Sequence, residues 1–238
     1  MAAELTIGGL AITVIRKQVK NIHLSVKPPL GAVSITAPMH VSDNSVRAFA
    51  IGKLSWIKAQ QVKLQTQVRE TPREYLERES HYVWGRRCLL RIIDHDAAPF
   101  VELGHNRLQL YIRSSATAEQ RAEVLERWYR DLLREAAMPL AAHWQQKMDV
   151  QMSKLFVQRM KTRWGSCNPI RGFVRLNTDL AKKPPECLEY ILVHELTHLL
   201  EPIHNSYFVS LMDRFLPSWP HRRDQLNQLP VRHVDWEY

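Results

Sequence analysis

The sequence predicts an α+β protein in which a β-rich N-terminal region is followed by a mainly helical region. Short apolar runs of alternating pattern, separated by turn residues, recur through residues 1–113. From residue 114 onward, apolar residues recur instead at the spacing of an α-helix. The 238 residues are enough for two modest domains. We therefore expect one domain at residues 1–113, containing one helix, and a second at residues 114–238.

The first strands are predicted from alternating apolar residues between turn signals. They cover residues 11–15, 22–26 and 32–37, with Lys-Asn, Pro-Pro and Gly between them. Ser42 or Asp43 then suits a helix N-cap, and an apolar stripe follows at helical spacing. The stripe consists of Val46, Phe49, Ala50, Leu54 and Ile57. We expect a helix here, followed by polar sequence to about residue 71.

A second group of strands precedes the longest predicted helix. It covers residues 82–84, 88–93 and 108–112, with turns at Gly85 and Gly104. Thr117 and Gln120 have the spacing of a capping box, which marks a helix start. The helix is then indicated by an apolar stripe of Leu125, Trp128, Leu132, Leu133, Ala136 and Leu140. Pro139 predicts a kink in this helix.

The last third of the chain predicts a hairpin followed by two helices. Residues 155–163 and 173–177 flank the turn-rich segment 165–172 and indicate the hairpin. Pro184 and Pro185 suit a helix start, residues 188–200 are mostly apolar, and Pro202 cannot continue the helix. A final amphipathic helix, carrying Phe208, Leu211, Met212, Phe215 and Leu216, is expected to stop at Pro217.

Composition excludes several classes of protein and leaves the meaning of the positive charge open. No stretch approaches the roughly eighteen apolar residues that span a bilayer, and three cysteines without a CxxC pair argue against disulfides. The N-terminus lacks the features of a secretory signal, so we expect a cytoplasmic protein with no membrane partner. Residues 1–113 hold 16 Lys/Arg against 9 Asp/Glu. Such an excess either attracts nucleic acid, nucleotides or acidic proteins, or forms a solvated basic surface.

Residues 194–198 form an HExxH motif within the helix predicted before Pro202. On a helix, residues four apart lie about 6 Å from each other on one face. His194 and His198 can therefore both reach one zinc ion. Glu195 is rotated by about 100° around the axis and can reach a water on that ion instead. The spacing predicts two metal ligands and a general base.

The third zinc ligand is expected from beyond the helix, with His204 as the leading candidate. It follows His198 by six positions, after Pro202 has ended the helix. The metzincins share this interval, but Glu201 stands where they have Gly, so membership of that class is not expected. Glu201 is an alternative third ligand. A purely structural site closed by Glu201, Cys167 or another histidine is a further alternative, since structural zinc has four protein ligands.

Several motifs together resemble the YgjP-like family of zinc metallopeptidases. The similarity is continuous from about residue 155 to 217. It rests on residues 163–167 (Arg-Trp-Gly-Ser-Cys), Gly172 to Asn177, Leu180, Pro184, residues 190–198 with the HExxH, residues 204–206 (His-Asn-Ser) and Phe208. In the N-terminal region, Lys20-Asn21-Ile22, Ala37-Pro38 and Trp56-Ile57 also suit this family.

The resemblance implies a minimal zincin domain, with helices around the metal and a small sheet whose edge strand lines the cleft. It implies one zinc held by His194, His198 and His204, with Glu195 as catalytic base and a peptide or protein as substrate. An exposed edge strand near residues 173–177 would let an extended peptide add to the sheet. Arg163 and Ser166, or the backbone near them, are the first candidates for contacts with the substrate or transition state.

Two other functions remain open at the level of sequence. The same site could hydrolyse a nucleoside triphosphate, with Lys161, Arg163, Arg171 and Arg175 neutralising phosphate charge. The chain has no P-loop and no obvious carboxylate cluster for magnesium, which ranks this function second. Alternatively, the basic N-terminal region could bind nucleic acid while zinc only stabilises the C-terminal domain. The oligomeric state is not indicated by the sequence.

Overall fold

The computed structural model describes residues 2–27, 31–66 and 69–231. The chain divides into two compact units, residues 1–70 with 233–238, and residues 71–232. Residue 113, where we predicted a domain boundary, lies inside the second unit, because the strands before it share a core with the helix that follows. His233 and Trp236, whose roles we had considered, lie outside the described residues.

The first unit is a four-stranded sheet with two helices. Its strands are β1 (Ala2–Ile7), β2 (Leu10–Lys17), β3 (His23–Lys27) and β4 (Ala32–Pro38), in the order β1-β2-β4-β3. The predicted strands β2 to β4 are confirmed, whereas β1 was not predicted. The predicted helix is divided at Lys53 into α1 (Asp43–Gly52) and α2 (Leu54–Thr66), and the Ser42 hydroxyl caps α1. Ile12, Ile35 and Ile57 are fully buried in this unit's core.

The second unit begins with another four-stranded sheet and the longest helix. The strands are β5 (Ser80–Val83), β6 (Arg86–Asp94), β7 (Phe100–Leu103) and β8 (Arg107–Ile112), in the order β5-β6-β8-β7; β7 was not predicted. Helix α3 (Ala118–Met148) starts with the predicted capping box, in which Thr117 accepts from the Gln120 amide. Pro139 lies inside α3, and the helix continues for nine residues beyond it.

A three-stranded sheet follows, and its topology corrects the predicted hairpin. The strands are β9 (Lys154–Gln158), β10 (Gly165–Asn168) and β11 (Phe173–Asn177), in the order β10-β11-β9. β11 pairs parallel with β9 and antiparallel with β10, so the hairpin is β10–β11, with Gly172 at a φ of +64° before β11. The prediction of an edge strand at residues 173–177 was wrong: β11 is central. The segment interpreted as a turn, 165–168, is the edge strand.

The chain then forms a 3-10 helix (Thr178–Lys182) and three helices, α4 (Pro185–Thr197), α5 (Ser206–Phe215) and α6 (Trp219–Gln228). Helices α4 and α5 confirm the predictions, but α5 is not the last helix. Pro220, which favoured a chain without further helix, lies in the first turn of α6, where the missing proline N–H costs nothing. Leu192, Val193 and Leu196 anchor α4 in the core with no exposed surface. Within the described residues, no helix has the length and apolar character needed to cross a bilayer.

Candidate metal centre

Helix α4 and the turn after it bring three histidines together. His194 lies in the last turn of α4, and His198 is its C-cap. The chain then turns back, and Asn205 caps α5 by accepting a hydrogen bond from the Phe208 amide at 2.9 Å. This helix start places the ring of His204 4.9 Å from that of His194 and 4.6 Å from that of His198.

The three rings present nitrogen atoms in a cluster suited to one metal ion. One nitrogen from each ring lies within 4.8 Å of the others, and the Nε2 atoms of His194 and His204 are 3.0 Å apart. Two nitrogens bound to zinc at about 2.0–2.1 Å in a tetrahedron are separated by a similar distance, roughly 3.3 Å. Neither Glu201 nor Cys167 belongs to this cluster. The Glu201 carboxylate instead accepts a hydrogen bond from the Ile203 amide.

The protonation of the histidines also fits metal binding. His198 Nδ1 lies 3.1 Å from the Glu201 carbonyl, which can only accept, so Nδ1 carries the proton and Nε2 has a free lone pair. Burial, with His198 and His204 nearby, lowers the pKa of His194 to about 3. These rings are therefore neutral near pH 7, which is the form that binds metals. The ring of Phe208 packs within 5.0 Å of all three.

Glu195 lies beside this cluster in a space shaped by a glycine. Its side chain is buried, and a Cβ atom added to Gly165 would lie 2.6 Å from Glu195 Oε1 and 2.9 Å from Ile191 Cγ2. Only glycine therefore lets β10 approach the carboxylate this closely. Burial raises the pKa of Glu195 to about 8, and the nearby charge of Arg163 acts in the opposite direction. Glu195 is thus a carboxyl group that can take up a proton near neutral pH.

A cavity of about 560 Å³ joins the histidines, Glu195 and the end of β10. Both further predicted residues line it: Arg163, which is exposed, and Ser166, which is partly buried. All six residues predicted for the site are therefore brought together. Other lining residues are Trp164, Gly165, Cys167, Pro169, Tyr190, Ile191 and Pro202. Burial, with Glu195 nearby, raises the pKa of Cys167 to about 11, so this thiol is protonated at neutral pH.

A family model described as YgjP-like, metallopeptidase domain, matches residues 20–229. The chain belongs to the YgjP-like metallopeptidase family. Metallopeptidases use a metal ion, and the three histidines of this YgjP-like chain could hold one. No curated protein matches the sequence.

Two solved structures are similar to part of this YgjP-like chain. The zymogen of the metallopeptidase abylysin from Pyrococcus abyssi is 22% identical with a TM-score of 0.36, over 40% of this chain and 97% of that one. The zymogen of the metallopeptidase jannalysin from Methanocaldococcus jannaschii is 19% identical with a TM-score of 0.31, over 42% and 88% of the two chains.

Sequence reasoning missed the residues that support the metal-facing side chains in this YgjP-like chain. Gly165 was noted as part of a motif, but nothing local indicates that it contacts Glu195. Phe208 was assigned to an apolar stripe, although its ring also packs on the three histidines. Thr197 is fully buried, and its hydroxyl donates to the Val193 carbonyl at 2.8 Å. The position of Asn205 just before an apolar helical stripe is the one signal that predicts its role, as an N-cap.

Proposed function

We propose that this protein is a zinc peptidase in which His194, His198 and His204 hold one zinc ion and Glu195 is the general base. The observation that carries the proposal is the meeting of three neutral imidazole nitrogens and one buried carboxylate in a single cavity. Three nitrogen ligands are typical of catalytic zinc, whereas structural zinc is closed by a fourth protein ligand. Among the described residues, the cluster contains only these three potential ligands.

Each residue of the site then has a chemical task. Zinc, when bound, supplies Lewis-acid polarisation of a carbonyl group and lowers the pKa of water. Glu195 accepts a proton at its carboxylate and later donates it to the departing amine of the cleaved peptide bond. Arg163 and the hydroxyl of Ser166 are the donors available to stabilise negative charge that develops on the peptide oxygen. Burial of Glu195 against Gly165 keeps the carboxylate in one orientation for both proton transfers.

The free edge of β10 supports a peptide as substrate. β10 pairs with β11 on one side only, and Gly165, Ser166 and Cys167 line the cavity along it. An extended peptide could add to this edge as another strand, with backbone hydrogen bonds that do not depend on its sequence. The peptide-binding edge is thus assigned to β10, replacing the expectation at residues 173–177.

The test combines elemental analysis with hydrolysis assays on protein without an affinity tag. Wild type and Glu195→Gln should each contain one zinc per chain, and His204→Ala should lose most of it. Wild type should cleave fluorescein-labelled casein or an internally quenched peptide library, and Glu195→Gln should lower kcat by about 10²–10⁴-fold. Full zinc retention by His204→Ala would show that another residue is the third ligand. Hydrolysis of nucleoside triphosphates without peptide cleavage would favour the phosphohydrolase alternative.

A further inference from the structure

We propose that Asn177 is a positioning residue for the reaction, because its side chain holds the segment that delivers Arg163, Trp164 and Gly165 to the cavity. The inference rests on the proposed peptidase function. Asn177 is the last residue of β11 and does not line the cavity itself. It would act through the backbone of residues 160–164, not through contact with a substrate.

The amide of Asn177 is used completely by hydrogen bonds. The residue is 5% exposed, and its Nδ2 donates to the carbonyls of Met160 at 2.9 Å and Arg163 at 2.8 Å. Its Oδ1 accepts from the backbone amides of Asp179 at 3.2 Å and Met160 at 3.4 Å. A primary amide has two donors and two acceptor positions, so all four are occupied. Three of these four bonds hold the backbone of the 160–164 segment.

The segment has little other regular structure to fix it. Residues 159–164 connect β9 to β10 and form neither helix nor strand. The Asn177 amide N–H also donates to the Trp164 carbonyl at 2.8 Å, which extends the β10–β11 pairing by one residue. Backbone groups buried in a connection need partners from side chains when no ladder supplies them. Asn177 supplies such partners at both ends of the 160–164 segment.

The position of this segment decides the geometry around Glu195. Arg163 and Trp164 line the cavity, and the next residue is Gly165, whose Cα approaches Glu195 too closely for any side chain. A small displacement of the segment would therefore loosen or compress the contact with the carboxylate. Misplacement of a reacting group by about 1 Å can cost about 10²-fold in rate. Asn177 thus controls the placement of Glu195 from outside the cavity.

Asn177→Asp isolates this role because aspartate has almost the same shape. It keeps the oxygen that accepts from Asp179 and Met160, and so preserves the cap of the 3-10 helix. It replaces the Nδ2 donor with an oxygen that faces the carbonyls of Met160 and Arg163, which repel it. Asn168→Asp is the matched control in the same sheet. The Asn168 side chain accepts from the Arg171 amide at 3.0 Å, and aspartate can keep this bond.

Three measurements on the full chain test the proposal. Hydrogen–deuterium exchange should become faster in peptides covering residues 159–164 of Asn177→Asp, with α4 unchanged, and should remain at the wild-type rate in Asn168→Asp. Zinc content should stay at the wild-type ratio in both variants. The kcat for the quenched peptide library should fall about 10–100-fold in Asn177→Asp with an unchanged KM. Asn177→Ser, which keeps one donor, should lie between wild type and Asn177→Asp in both exchange and kcat.

Each contrary result overturns the inference, and none depends on the peptidase assay alone. Unchanged exchange at residues 159–164 would show that Asn177 does not hold the segment, even if no peptide were cleaved by wild type. Faster exchange with wild-type kcat would show that the segment does not position the site. Loss of zinc in parallel with kcat would indicate a general structural role. If Asn177→Asp does not fold, Asn177→Ser decides by the same criteria, whereas a wild type with no peptidase activity but the expected exchange contrast would contradict only the proposed function.

Discussion

The two compact units differ in charge and in chemistry. Residues 1–70 hold 9 Lys/Arg and 3 Asp/Glu, whereas residues 71–232 hold 24 and 19. All the histidines of the candidate metal centre, Glu195 and the cavity belong to the second unit. No comparable group of metal-binding side chains occurs in the described part of the first unit. The comparison teaches that the basic excess and the catalytic groups are properties of separate parts of the chain, so a peptidase and an anion-binding surface are not competing explanations.

A glycine substitution in each unit should separate them most strongly. Gly165→Ala places a methyl group 2.6 Å from Glu195 Oε1, so the carboxylate must move. We expect kcat to fall by about 10²-fold or more and stability to fall by about 1–3 kcal/mol. Gly52→Ala in α1 meets nothing within 4 Å and should raise stability by about 0.5–1 kcal/mol with unchanged kcat. Peptide hydrolysis and urea denaturation measure both effects. Wild-type activity in Gly165→Ala would contradict the close contact.

Removal of the cavity's cation should have the next largest effect. Arg163 lines the cavity, and its charge acts on Glu195. Arg163→Ala should lower kcat by about 10–100-fold, and Arg163→Lys should recover part of it, if the positive charge stabilises the transition state. Arg171→Ala, at an exposed residue in the β10–β11 connection, is the control with the same loss of charge. Full activity in Arg163→Ala would exclude this role.

Truncation of one core residue in each unit should distinguish their contributions to catalysis. Ile35 and Leu192 are fully buried in the first and second cores respectively. Each change to alanine should cost about 2–5 kcal/mol of unfolding free energy. Leu192→Ala should also lower kcat, because Leu192 belongs to the helix that carries His194 and Glu195. Ile35→Ala should leave kcat per folded molecule unchanged, and an equal loss in the two variants would break the comparison.

The smallest expected effect concerns the basic surface of the first unit. Lys53 and Lys58 are exposed, and reversing both to glutamate should lower the salt concentration at which the protein elutes from heparin. If single-stranded DNA binds, the slope of log K against log salt should fall by about 1 per lost phosphate contact. Arg127→Glu with Arg134→Glu makes the same charge change on α3, at exposed residues of the second unit. Equal shifts in both pairs would mean that net charge alone matters.

Local patterns predicted most elements and the members of the candidate site. The four-residue interval in HExxH requires a helix, and alternation predicted β2, β3 and β4, because both signals lie within one element. Pairing between distant elements is not encoded in this way. The segment 165–168 has the composition of a turn, and its pairing with β11 depends on contacts that form only in the folded chain. For the same reason, neither the Gly165–Glu195 contact nor the hydrogen bonds of Asn177 could be predicted.

The metal-facing side chains and their catalytic partner differ in how far the chain must travel to assemble them. His194 and His204 are ten positions apart, and a single helix, a turn and a helix start bring them together. Glu195 gains its cover only when residue 165 docks from another part of the chain. Closing short loops is faster than forming non-local contacts. A newly synthesised chain should therefore acquire the capacity to bind a metal before it becomes able to cut a peptide, which protects neighbouring proteins while it folds.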